Sequence, residues 1–145
     1  MALDSERLAV AAELDRHADE EMEILRRYCD LSERLEDGPV SFIIEHILTE
    51  ENIHHYLLRS LARWLRDPHV GDRGSGLPGE IRGELLRQTR VLQEHEAETI
   101  DACKSLKYEL PGEEAEFLGT VLDAMAMDSA KHHMLLSAVA KLIEG

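Results

Sequence analysis

Glu51 and His54 stand three residues apart near the middle of one apolar, helix-length segment, and Asp128 and His132 stand four apart near the middle of another. Positions three or four apart on a helix share a face, so each pair can turn a carboxylate oxygen and an imidazole nitrogen toward one point. Glu21 and Glu96 occupy comparable mid-segment positions in the two remaining long segments. Mixed carboxylate and imidazole ligation suits iron or manganese, with zinc as an alternative, whereas the nitrogen donors disfavour calcium. The chemistry these residues point to is the binding of divalent transition metals.

Glu-x-x-His spacing alone is a weak signal, because it arises often on solvated helix faces. The surrounding pattern strengthens it. Apolar residues at alternating steps of three and four mark the stripe a helix turns toward its neighbours. Those stripes run Leu14, Ala18, Glu21, Leu25, Tyr28, Leu35, then Ile44, Ile47, Glu51, His54, Leu58, Leu61, Leu65. The third runs Leu85, Thr89, Leu92, Glu96, Thr99, Cys103, Leu106, Leu110, and the fourth Leu118, Val121, Met125, Asp128, His132, Leu135, Val139, Leu142. Each is interrupted by an acid near mid-helix, and two by histidine. Several uncompensated buried carboxylates would cost more than a marginally stable domain can absorb, whereas two divalent ions would neutralise them. Asp128 can ligate with its short side chain or accept a hydrogen bond from a liganding ring. Glu50 competes with Glu51, because internal alignment favours the first and the spacing to His54 the second; Glu51 is preferred. His55 and His133 point around the helix and are expected in solvent or behind the ligands, and His17, His46, His69 and His95 belong to no constellation.

Breakers set out the elements that must position these groups. Asp37-Gly38-Pro39, the Gly- and Pro-rich run from Asp67 to Gly79, and Pro111-Gly112 separate four segments without strand-like alternation. They predict helices over about 4–36, 39–66, 79–109 and 113–143 in a single domain. Short first and third connections imply antiparallel hairpins, and the longer middle one a crossover, giving an all-α, two-hairpin four-helix layout. The halves also resemble each other. A shift of 78 lays Ile43, Ile47, Glu50, His54, Leu58 and Leu61 over Val121, Met125, Asp128, His132, Leu136 and Val139, and a shift of 75 lays Glu21, Leu25 and Leu31 over Glu96, Ile100 and Leu106. A duplicated helical hairpin accounts for both alignments.

The formal net charge of −14 disfavours nucleic acid and anionic membranes as partners and favours cations. Cys29 and Cys103 form no CxxC pairing, which fits a reducing, cytoplasmic setting better than a disulfide scaffold. The charged N-terminus carries no stretch of signal-peptide or membrane-spanning length. A homodimer is the default assembly, since symmetric pairs dominate soluble oligomers.

One Glu from each of two helices and a Glu-x-x-His pair from each of two others is the ligand pattern of di-iron and di-manganese bundles. On these residues the chain resembles the rubrerythrin-type branch of the ferritin-like superfamily. The resemblance is carried by Glu21-Met-Glu-Ile-Leu-Arg-Arg-Tyr28, Glu51-Asn-Ile-His54, Glu96-Ala-Glu-Thr-Ile-Asp-Ala-Cys103 and His132. It implies a ferritin-like antiparallel four-helix bundle with a long crossover between the second and third helices, and two metal ions, iron first, held by Glu21, Glu51, His54, Glu96 and His132; Asp128, four residues before His132 on the same face, is the further candidate ligand. It further implies an oxidoreductase that meets dioxygen or peroxide and draws electrons from ferrous ions or a separate electron donor. The sequence departs from the pattern at Ser129, where the family has its second pair glutamate, and at Cys103, where tyrosine is frequent; no cysteine-rich iron domain follows. A non-catalytic metal-binding or helical interaction protein is the alternative these departures favour.

Overall fold

The structure, a computed structural model, describes residues 5–69 and 77–145. Among them are four long helices: α1 (Ser5–Ser32), α2 (Pro39–Arg66), α3 (Arg82–Glu109), entered through a 3-10 turn at Gly79–Ile81, and α4 (Ala115–Glu144). The fold is all-α. The long crossover expected between α2 and α3 lies largely outside the described residues, as does residue 4, where the first helix is expected to begin.

Local chemistry explains the boundaries. Along α1, Glu13, Arg16 and Glu20 form ion pairs one turn apart, as do Glu23 and Arg27, and such pairs support an exposed helix. α1 ends at Ser32, four residues earlier than the sequence predicts. The chain has to reverse before Gly38, which is extended (φ 171°) and leads into Pro39 at the first position of α2. Ser41 Oγ accepts a hydrogen bond from the Gly38 amide at 3.0 Å and ties down that start. Asp67-Pro68 terminates α2 behind Arg63 and Arg66, whose charges suit the negative end of the helix dipole. Between α3 and α4, Gly112 adopts φ +85°, the left-handed conformation that glycine reaches without steric cost.

The helices pack as two compact units, α1 with α2 and α3 with α4. Both pairs run antiparallel: in the first, contacts link Arg7 to Trp64, Asp15 to Arg59 and Arg66. In the second they link Arg90 to Glu144, Glu96 to His132 and Lys107 to Asp123. The seams are made of small side chains. Ala11, Ala18 and Ala62 are fully buried in the first hairpin, and Thr89, Cys103, Gly119 and Ser129 are buried in the second, with Ile143. On α1 Ala11 and Ala18 are seven apart, and on α3 Thr89, Glu96 and Cys103 keep the same interval, so one position in every second turn falls on the line of contact.

Here the structure departs from the predicted core. Tyr28, Leu35, Ile47, Leu61, Leu85, Leu92, Leu106, Met125, Leu135, Val139 and Leu142 flank the seams and remain substantially exposed, Leu61 at 53 % and Leu142 at 70 %. The reason is geometric: in a two-helix unit only the residues on the line of contact are covered from both sides, and a flanking side chain meets one neighbour. The 3.6-residue periodicity marks the apolar face correctly but does not say how much of that face a single hairpin covers. No helix among the described residues is long and apolar enough to cross a membrane.

Candidate metal centre

The first hairpin places three of the sequence candidates, Glu21, Glu51 and His54, near mid-length on its two helices. Glu51 and His54 lie one turn apart on α2, with Nδ1 of His54 3.5 Å from Oε1 of Glu51. Antiparallel packing sets the Glu21 carboxyl of α1 beside that of Glu51. Burial, and secondarily the Glu51 carboxyl within hydrogen-bonding reach, hold the pKa of Glu21 above the ordinary carboxylate value, while His17 and His54 oppose the rise. Only 17 % of the Glu21 side chain is exposed, and its Oε1 is buried without a hydrogen-bond partner. Two carboxyl groups in contact in a half-dry seam repel each other unless a proton or a cation lies between them.

One turn before Glu21, His17 places Nε2 3.7 Å from Glu21 Oε2. His17, Glu21 and His54 line a cleft of about 270 Å³ whose other walls are Leu57, Leu58 and Leu61. Sequence spacing alone assigns His17 to no constellation. His17-x-x-x-Glu21 is the antiparallel mirror of Glu51-x-x-His54, and that signal becomes readable only once α1 and α2 are paired in register. Of the two acids considered in α2, Glu51 is the one that faces His54.

The second hairpin holds a smaller set. Oε1 of Glu96, an 85 % covered side chain, lies 3.6 Å from Nδ1 of His132 across the α3–α4 seam. Asp128 Oδ1 lies 3.7 Å from the Lys131 ammonium. Ser129, which the 78-residue shift aligns with Glu51, is buried at 6 % exposure, and the 75-residue shift aligns Leu92 with His17. The hairpins therefore differ in donor number: four in the first, and in the second one carboxylate–imidazole pair with Asp128 nearby in sequence but salt-bridged.

Other expectations shift in detail. His54 and His132, expected in the core, are about half exposed, while the glutamates beside them are the better covered partners. His55, expected toward solvent or behind the ligands, turns Nδ1 into a buried position where it has no hydrogen-bond partner. Tyr28 lies 41 % exposed, whereas Cys103 is buried; both cysteines are free thiols. No family model, curated protein or solved structure matches the chain.

Proposed function

We propose that this is a di-iron carboxylate protein of the ferritin-like, rubrerythrin-type kind, an oxidoreductase that reacts with dioxygen or peroxide. One observation carries the reading: in each hairpin a largely covered or half-covered glutamate lies 3.5 to 3.6 Å from an imidazole nitrogen near mid-helix. The donor chemistry fits iron, because carboxylate oxygens and imidazole nitrogens together are its usual protein ligands. The buried, unpartnered Oε1 of Glu21 fits too, since a cation would satisfy it.

In this reading the four helices form the antiparallel bundle that the ligand pattern implies. Glu21 and Glu96 would supply carboxylate oxygens to the metal ions, and His54 and His132 imidazole nitrogens. Glu51 and Asp128 are the adjustable carboxylates, Asp128 after release from Lys131. Bound iron would supply the electrons that reduce dioxygen or peroxide, to be replaced by ferrous ions or a separate electron donor. The protein's own contribution is to fix the donors, leave coordination positions open and keep apolar residues such as Leu57 and Leu58 around them. Manganese or zinc are the alternative occupants, and a homodimer is the proposed assembly.

Two observations favour a second reading, a metal-holding protein without turnover: Ser129 is buried where a carboxylate is expected, and Asp128 is engaged by Lys131. Rapid mixing of anaerobically iron-loaded protein with dioxygen or peroxide separates the two. Catalysis predicts fast oxidation that Glu51→Ala and His54→Ala slow by at least about a hundredfold. Equal rates in wild type and both variants would remove the catalytic assignment.

A further inference from the structure

We infer that the first hairpin holds one divalent transition-metal ion by itself, with His17, Glu21, Glu51 and His54 as its ligands. The inference rests on reading Glu21, Glu51 and His54 as metal-binding residues, and it goes further in two ways: it adds His17, and it makes the α1–α2 unit sufficient for one ion.

The geometry supports it. Ligand atoms about 2.0 to 2.2 Å from a tetrahedral ion are separated from each other by about 3.3 to 3.6 Å. The His54–Glu51 separation of 3.5 Å and the His17–Glu21 separation of 3.7 Å are already close to such edges. The four donors are linked in pairs, two carboxyls side by side and an imidazole beside each, and the imidazoles line one cleft. Drawing the pairs onto one ion takes rotation of His17 and His54, both exposed enough to turn. Charge supports the same assignment. The two carboxyls repel, Oε1 of Glu21 has no hydrogen-bond partner, and Arg59 on α2 is engaged with Asp15 and Asp19 further along the seam. A divalent ion would relieve that repulsion. The second hairpin provides an internal contrast, since Ser129 and Leu92 stand where Glu51 and His17 would be needed. The two halves of the duplicated sequence are thereby assigned unequal metal affinity.

The test is a titration of the full-length, metal-free chain with cobalt(II), followed by its visible absorption and by bound metal after desalting. In the Glu96→Gln/His132→Ala double variant, one cobalt per chain should bind with the visible bands of a nitrogen- and oxygen-ligated ion. Adding His17→Ala to that background should weaken binding at least about tenfold and change the spectrum, and Glu51→Gln should do the same. His17 is 62 % exposed, so its removal leaves the helix intact, which circular dichroism checks. If the double variant binds no cobalt while wild type does, the self-sufficient site is wrong and the two-hairpin reading stands. Undiminished binding without His17 overturns its role as a ligand. If wild type binds no cobalt, both readings fall together.

Discussion

Glu21 shares the α1–α2 seam with a second carboxyl, that of Glu51, and this placement has a consequence for the metal-free protein. Its folded pKa lies above the ordinary 4.5, chiefly through burial, so folding favours the protonated form. A carboxyl raised in this way stabilises the fold below its unfolded pKa, and the contribution is lost as pH rises through the folded value. Glu21→Gln should therefore stabilise metal-free protein at pH 7, by on the order of 1 kcal/mol, and change little at pH 4. Thermal melts at the two pH values check this, and a destabilised Gln variant at pH 7 would contradict the placement. Most of the residues in this cluster were legible in the sequence, because acids and histidines interrupted an otherwise apolar stripe. His17 was not: its spacing to Glu21 is that of an ordinary surface pair, and its meaning depends on which residues of α2 lie opposite.

At the scale of the elements, α1 and α2 are joined by charge as well as by alanine. Arg59 and Arg66 of α2 both reach Asp15 of α1, and Arg66 first, then Arg59, holds the Asp15 carboxyl below the ordinary carboxylate range. A depressed pKa stabilises the fold above the unfolded value, and that contribution disappears as pH falls through the folded one. Asp15→Asn should lower the melting temperature at pH 7, and the difference from wild type should vanish near pH 2. The α3–α4 turn allows a second check. A Cβ at Gly112 or at Gly83 would meet no atom within 4 Å, so only backbone conformation separates the two sites. Gly112 is left-handed and Gly83 helical, so Gly112→Ala should cost about 1 kcal/mol whereas Gly83→Ala should gain up to about 1. Urea unfolding of the two variants measures both signs. The turns and every helix end but the C-terminal end of α1 were readable to within three residues, chiefly from Pro and Gly placement, because those residues act locally. The seam was not, since Ala11, Ala18 and Ala62 look neutral in a pattern dominated by leucine, and the large side chains that define the stripe flank the contact instead of filling it.

At the scale of the whole molecule, a net charge of −14 imposes self-repulsion that salt screens and divalent cations neutralise. The melting temperature should rise between about 10 mM and 0.5 M sodium chloride, and bound metal should raise it further at low salt. A temperature independent of salt would show that charge repulsion plays no part in limiting stability. The central claim concerns the metal itself: the candidate ligands of the two hairpins hold a metal pair. Its most direct test is elemental mass spectrometry of protein purified without a metal-affinity tag, before and after anaerobic ferrous loading. About two iron ions per chain are predicted by the di-iron ligand pattern; no bound metal, even after loading, would contradict the account.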